Sequence, residues 1–376
     1  MLAMSRDLSS VQGALDFELS QNESRVLHSI VKWPELSDQA IHSKIGMKKS
    51  TFSSIKTRLK ENGYYKRLFI PNFPKIGFEM LHLMFGQLNR FTTYEERMRI
   101  ANETIKGFTE DFFVVSEANQ AFNLSVSQNY TEYAKNLETF LQLYSENKFL
   151  SKEGMFDNAF PFEISQCFSF LDYESLLAKS FGFISEEYEK RYTIPTGPVE
   201  KAKLSRAERK VLAGLVKYPE ETDTLIAEEV GVSRNTVANA KRKFLKEEIC
   251  FTRVIPNIKK LDHRTLVFSF VRFNPKISDE QRSNTVELVR NLMAPIFYIN
   301  KNLDGFIISA HASEEEFDQL NDELMSFYMK NEIVLDDPVT YKIDSSKMNV
   351  IKDLEFLPST LKVLGFDDKS PISEQK

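Results

Sequence analysis

Two stretches decide the reading of this chain: LSQNESRVLHSIVKWPE at residues 19–35 and LSRAERKVLAGLVKYPE at residues 204–220. A shift of 185 positions lays one on the other. The match extends without a gap to 19–72 against 204–257, where 17 of 54 pairs are identical. Average residue usage would give roughly three by chance. Among the identical pairs are Leu19/Leu204, Glu23/Glu208, Pro34/Pro219, Ile41/Ile226, Gly46/Gly231, Thr51/Thr236, Lys56/Lys241 and Pro71-Asn72/Pro256-Asn257. The chain is therefore an internal duplication. Beyond residue 72 the relation weakens but continues. AFNLSVSQNYTEY from Ala121 faces GFIISAHASEEEF from Gly305, FPFEI from Phe160 faces VTYKI from Val339, and Phe181-Gly182-Phe183 faces Leu364-Gly365-Phe366. Two units result, about 19–183 and 204–366, joined by a segment (184–203) whose two prolines and glycine mark a linker.

The start of each unit predicts three helices. Ser20 with Glu23, and Ser205 with Glu208, have the spacing of a capping box, which satisfies unpaired N–H groups at a helix start. Val26, Leu27, Ile30 and Val31, or Val211, Leu212, Leu215 and Val216, then recur at helical spacing, and Pro34 or Pro219 stops the helix. A short second helix turns Ala40, Ile41 and Ile45, or Leu225, Ile226 and Val230, inward. Gly46 or Gly231 supplies the left-handed cap that follows it. The third helix is amphipathic, with Phe52, Ile55 and Leu59, or Val237, Ala240 and Phe244, as its inner face.

The outer face of that third helix carries Lys48, Lys49, Ser50, Thr51, Ser53, Ser54, Lys56 and Thr57 in the first unit. In the second it carries Ser233, Arg234, Asn235, Thr236, Asn239, Lys241 and Arg242. Long cations reach phosphates, and Ser, Asn, Thr and Arg can address base edges in a groove. Lys56 and Lys241, at the same place in both units, are expected at phosphates. Arg234, Asn235 and Asn239 are expected to read bases. The strand-like stretches Tyr64–Ile70 and Ile249–Ile255 read as wings, with Lys66, Arg67 and Arg253 placed for flanking phosphates.

The remainder of each unit reads strand–helix–strand–strand–helix–strand. In the first unit the elements are Leu81–Leu88, a helix capped by Thr93 and Glu96, Phe112–Glu117, Phe122–Ser127, a helix capped by Asn129 and Glu132, and Phe160–Ile164. In the second they are Leu266–Phe273, a helix from Ser278 to about Met293, Ile296–Asn300, Gly305–His311, a helix capped by Ser313 and Glu316, and Val339–Ile343. A terminal helix follows in each, Tyr173–Ser180 and Pro358–Leu364. This βαββαβ order is the ferredoxin-like arrangement.

The stretch SDQAIHSKIGMKKSTFSSIKTRLKENGYYKRLFIPNFPKIGF, from Ser37 to Phe78, resembles the feast/famine (Lrp/AsnC-like) transcription regulators, and the likeness covers nearly the whole chain, taken twice. Two departures stand out: Lys48 replaces the usual serine cap that Ser233 retains, and Leu261-Asp262 replaces Ile76-Gly77. The resemblance implies an α+β chain of two winged helix-turn-helix domains (19–76 and 204–262), each followed by a ferredoxin-like domain (77–183 and 263–366). An N-terminal segment (1–18), the linker (184–203) and a tail (367–376) complete it. It further implies a transcription regulator whose partner is promoter double-stranded DNA, with a possible homodimer through the ferredoxin-like domains. The glycine-rich loops that line the family's effector pockets are not evident.

Charge distribution agrees with a DNA partner. The chain carries −5 overall, but residues 19–72 carry +6 and 204–257 carry +2, which leaves −13 for the rest. The two cysteines, Cys167 and Cys250, exclude a disulfide scaffold or cysteine-rich zinc site and fit a reducing cytoplasm. No apolar run approaches a membrane span, and the first residues (MLAMSRDLSSVQGALDF) lack the pattern of a signal peptide. The five histidines, His28, His42, His82, His263 and His311, show no ligand spacing. No phosphate loop or nucleophile elbow occurs. The expectation is a cytoplasmic protein without catalytic residues, metal or cofactor. The competing reading is an enzyme: siroheme decarboxylases resemble fused or paired units of this architecture, and fold alone does not decide function. Their chemistry needs histidines around the central hairpin, where this chain has only His311, at the far end of the second one.

Overall fold

The computed structural model describes residues 19–183, 197–367 and 370–374, with the backbone alone at 152–154. The expected N-terminal segment, most of the expected linker and part of the tail lie outside the described residues. The chain is a mixed α/β protein with antiparallel sheets. The first unit runs α1 (Gln21–Lys32), α2 (Asp38–Lys44), α3 (Lys49–Glu61), β1 (Tyr65–Pro71), α4 (Phe73–Ile76), β2 (Met80–Leu88), α5 (Tyr94–Thr104), β3 (Asp111–Glu117), β4 (Gln120–Ser127), α6 (Tyr130–Glu146), β5 (Leu150–Pro161), β6 (Ser165–Phe170) and α7 (Glu174–Ser180). The second runs α8 (Arg206–Lys217), α9 (Asp223–Val230), α10 (Arg234–Lys246), β7 (Cys250–Pro256), β8 (Thr265–Arg272), α11 (Asp279–Met293), β9 (Phe297–Lys301), β10 (Asp304–His311), α12 (Glu314–Lys330), β11 (Val339–Asp344), β12 (Asn349–Asp353) and α13 (Leu357–Val363).

Local chemistry sets the helix starts. Both capping boxes form: Ser20 accepts from the Glu23 N–H while Glu23 reaches back, and Ser205 and Glu208 do the same. The periodic residues Val26, Leu27 and Ile30, and their partners Val211, Leu212 and Leu215, are completely buried. So are the inner faces of α3 and α10. Gly46 (φ +63°) and Gly231 (φ +69°) adopt the left-handed conformation that their turns require. Leu225 departs from expectation: it lies at the exposed start of α9 and does not face inward.

Each sheet has the order expected of a βαββαβ chain plus one added strand. The first is β12-β3-β4-β2-β5 and the second is β11-β8-β10-β9-β6. The added strands are exchanged. β6 of the first unit pairs with β9 of the second, and β12 of the second unit pairs with β3 of the first. The two sheets also pack face to face through aromatic rings. Phe122 stacks on Phe268 at 4.0 Å between centroids, Phe156 meets Phe270 at 4.4 Å and Phe85 meets Tyr341 at 4.7 Å. Strand exchange and a shared aromatic layer join the units into one core, which continues into the first three-helix group.

The stretches read as wings do something else. β1 and β7 pair with each other, from Tyr65 opposite Pro256 to Pro71 opposite Cys250, in a two-stranded ribbon between the units. Phe69 of β1 is buried in the core of α8, α9 and α10. A strand's composition predicts that it will pair but not with which partner, and here the partner is the other copy.

Candidate nucleic-acid interface and a groove beside it

The outer faces of α3 and α10 are open. Lys48, Lys49, Ser50, Thr51, Ser53, Ser54 and Thr57 are exposed on the first, and Ser233, Arg234, Asn235, Asn239 and Arg242 on the second. Thr236 is half-buried, its hydroxyl 2.8 Å from the Ser233 Oγ. The caps differ as the sequence implies. Ser233 Oγ accepts the Thr236 N–H at 3.1 Å, whereas Lys48 makes no capping bond.

Two cations in each unit tie the third helix to its own neighbours in matching ways. Lys56 Nζ donates to Asp38 at 2.6 Å and Lys241 Nζ to Asp223 at 3.4 Å, so each meets the first residue of the preceding helix. Arg58 pairs with Glu23 and Lys243 with Glu208, both at 2.8 Å. Lys56 and Lys241 thus sit half-buried at the seam between two helices, where a phosphate contact means sharing the lysine with its aspartate.

The three expected wing cations are relocated with their strands. Lys66 Nζ is held 2.5 Å from Asp353 Oδ2, at the end of the exchanged strand β12. Arg67 is half-buried in the ribbon. Arg253 is 6 % exposed, donates from Nε to the Phe170 carbonyl at 3.1 Å, and lies 4.8 Å from the Phe251 ring centroid. A guanidinium enclosed in this way cannot reach a phosphate, so the expectation for Arg253 is corrected.

A feature the sequence did not indicate lies on the first sheet. Tyr130, Tyr133, Leu137, Leu141, Leu150 and Asp157 are among the residues lining a groove of about 600 Å³ between α6 and β5. The Tyr133 hydroxyl donates to Asp157, and burial raises the Asp157 pKa. Behind Tyr133, the His82 ring stacks at 3.9 Å and 3°, with Nε2 2.6 Å from Ser127 Oγ. Burial drives His82 down to about 3, so it is neutral. Lys301 crosses from the second unit to the Asn158 side chain and to the Ala159 carbonyl at 2.5 Å. The signal in sequence was weak: three residues from different elements, with no motif spacing.

The other buried histidines lie in the second unit. His263 Nε2 is 3.0 Å from Ser180 Oγ, His311 Nε2 is 2.8 Å from Ser309 Oγ, and burial lowers both to about 4. Among the described residues no group of three His, Cys, Asp or Glu side chains could hold a metal ion. Nor, among them, is any helix long and apolar enough to cross a membrane.

No protein-family model matches the chain. No curated protein matches it in sequence. Solved structures do. The siroheme decarboxylase NirDL, in complex with an iron-uroporphyrin III analogue, superimposes with a TM-score of 0.51 at 8% identity, over 92% of this chain and 98% of that one. The fold is shared. A second NirDL structure, also 8% identical, matches over 92% of this chain and 99% of that one with a TM-score of 0.49. An AsnC family transcriptional regulator from Agrobacterium tumefaciens is 18% identical over 37% of this chain and 90% of its own, with a TM-score of 0.32. The expectation of a chain that is not an enzyme is corrected by the first likeness: the fold that spans 92% of the chain is one that carries an enzyme.

Proposed function

We propose that the chain binds double-stranded DNA in the manner of a transcription regulator, through two non-identical recognition helices, α3 and α10. Each unit reads as a winged helix-turn-helix (19–76, 204–262) followed by a ferredoxin-like domain (77–183, 263–366), with the β1–β7 ribbon in place of free wings. One observation carries the proposal. Two helices at equivalent places in the repeat both expose a face of cations and short hydrogen-bonding side chains, while their inner faces are buried. Lys48, Lys49, Arg234 and Arg242 supply phosphate neutralisation, and Arg234, Asn235 and Asn239 supply bidentate base contacts. Because the outward residues differ, the expected site is asymmetric, with unlike half-sites on one face of the duplex. Selection of bound fragments from genomic DNA, followed by titration at increasing salt, tests this. A log–log slope of about −4 or steeper is expected from the cations engaged. Affinity that does not change with salt sinks the proposal.

The second reading is a decarboxylase acting on a tetrapyrrole, and the full-length likeness to NirDL favours it. The comparisons weigh toward this reading and the surface residues toward the first; one chain can do both. The groove beside α6 does not suit such a substrate, since a macrocycle bearing carboxylates needs cations at its rim and the lining offers Asp157 and Glu138 with no Lys or Arg. Titration with iron-uroporphyrin, read as a shift in the Soret absorbance, decides. A saturable shift that His311→Ala abolishes would support a tetrapyrrole ligand, with loss of carbon dioxide from it as the further sign of a decarboxylase, and an unchanged spectrum would remove the reading.

A further inference from the structure

Pro-Asn recurs at 71–72 and 256–257, and Lys75 and Lys260 stand three residues further on at the same shift of 185. The structure gives all four polar residues the same task, each on the other unit. The Asn72 side-chain amide donates to the Glu248 carbonyl at 2.7 Å, and that of Asn257 donates to the Gly63 carbonyl at 3.2 Å. Their backbone N–H groups repeat the crossing, Asn72 to the Ile249 carbonyl and Asn257 to the Tyr64 carbonyl, both at 2.8 Å. Lys75 Nζ donates to the Glu247 carbonyl, and Lys260 Nζ to the Asn62 carbonyl at 2.5 Å.

Those acceptors are not arbitrary. Asn62 and Glu247 are the C-caps of α3 and α10, and the next residues, Gly63 (φ +64°) and Glu248 (φ +54°), are the left-handed residues that end each helix. The last carbonyls of a helix have no partner within it and carry the negative end of its dipole, so amide donors and an ammonium stabilise them. The last turn of each helix is closed by its own backbone, with Gly63 and Tyr64 N–H donating to the Lys60 and Leu59 carbonyls, and Glu248 and Ile249 N–H to the Leu245 and Phe244 carbonyls. The carbonyls just beyond, at each C-cap and the residue after it, are taken by the opposite unit.

We propose that Asn72, Lys75, Asn257 and Lys260 are positioning residues: a crossed clasp that holds the C-terminal end of each recognition helix on the other unit and so fixes the separation of the two DNA-reading faces. The inference rests on the DNA reading for its consequence, though not for its geometry. Two half-sites bound by rigidly spaced helices are bound as one event, and the benefit of the second contact falls steeply once the spacing of the DNA departs from that of the protein.

The test uses the full chain with Lys75→Met and Lys260→Met together, with Lys75→Arg and Lys260→Arg as the rescue pair. Asn72, which is buried, is left intact, and Lys260→Gln alone, at an exposed position, serves if the double variant does not melt cooperatively. Spin labels at Ser43→Cys and Glu228→Cys, exposed equivalent positions, report the distance between the units' second helices. A narrow distance distribution is expected in the parent, a distinctly broader one in the Met pair, and recovery in the Arg pair. In parallel, duplexes carrying two half-sites are compared at spacings stepped by one base pair over a helical turn. The parent should prefer one spacing by about tenfold, and the Met pair by about threefold or less. An unbroadened distribution overturns the clasp whether or not the protein binds DNA. Broadening together with a parent that binds no DNA upholds the clasp and sinks the DNA reading. Broadening with an undiminished spacing preference overturns the link between them.

Discussion

The two three-helix groups share a scaffold and differ in what they display. Identical residues are found at capping boxes, turn glycines, core positions and the Pro-Asn pair, all of which fix backbone geometry or the joint between units. Most of the outward residues of the third helix differ: Lys49 against Arg234, Ser50 against Asn235, Ser54 against Asn239, Thr57 against Arg242, with Thr51/Thr236 and Lys56/Lys241 kept. The inner face changes its side chains but stays apolar, so duplication kept the geometry while the exposed chemistry diverged. The same holds lower in the molecule, where the first unit has Phe78 and Ser127 at the places of His263 and His311 in the second. The contrast between the units can be tested one residue at a time.

The largest effect is expected where the comparison is abolished by separating the units. Phe122 is buried and contacts two rings of the other unit, Phe268 at 4.0 Å and Phe306 at 5.7 Å. Phe122→Ala should cost about 3–5 kcal/mol in denaturant unfolding, since it removes a large side chain from a layer both units share. Loss of stability in the first unit alone, read by hydrogen exchange across β8 and β10, would show that the units do not share a core.

Acid should act through three buried histidines, His82 in the first unit and His263 and His311 in the second. Burial holds His263 at about 4 against 6.5 unfolded, with Glu316 and Asp262 opposing and Lys179 assisting. Between those values the unfolded chain binds more protons, so stability is full above 6.5 and falls as pH drops toward about 4. The loss from this one group is about 2 kcal/mol at pH 5. His263→Phe, which installs the residue of the first unit, should remove about one third of the slope of unfolding free energy against pH between 6.5 and 4, the rest staying with His82 and His311. A slope that His263→Phe leaves unchanged would show that His263 adds nothing to the acid sensitivity.

Recognition itself should be unequal. Asn239→Ala is expected to cost about 1–3 kcal/mol in binding to the selected site, with base preference relaxed at one position. Ser54→Ala, at the equivalent place, should cost less than 1 kcal/mol, because one hydroxyl cannot make a bidentate contact. Equal losses would remove the claim that the second helix supplies most of the specificity.

Most of the element order was legible because it rests on short-range rules: capping boxes, helical spacing, turn glycines and the repeat itself. What escaped depends on partners distant in sequence. SQCFSF and NVIKD fall outside the βαββαβ order of each unit and pair with the other unit, so spacing within one unit does not show β6 and β12 as strands. The closing strand of the first unit was expected at Phe160–Ile164, but it begins at Leu150 and ends at Pro161, where proline cannot continue the ladder. Arg253 looked like a surface cation because sequence shows its charge and not the Phe170 carbonyl that encloses it. The exposed faces of α3 and α10 were legible for the opposite reason: an amphipathic helix states its outer face in its own sequence.

The smallest expected effect is the most direct test of the comparison, since it trades one residue between the units. Ser233 begins α10 with an extended backbone and caps it; Lys48 begins α3 with nearly the same backbone, φ −62° and ψ 139°, but offers no acceptor. The first unit therefore leaves unsatisfied an N–H that the second unit satisfies. Lys48→Ser should stabilise the fold by about 1 kcal/mol, and Ser233→Ala should destabilise it by a similar amount. The same exchange removes a cation from the start of a recognition helix, so Lys48→Ser should make the salt slope of DNA binding shallower by about 1. If Lys48 replaced a serine for the sake of a phosphate contact, stability and affinity must move in opposite directions in this one variant. A protein that is both more stable and unchanged in its salt dependence would show that Lys48 is a lost cap and nothing more, and would leave the first helix with Lys49 as its leading contact.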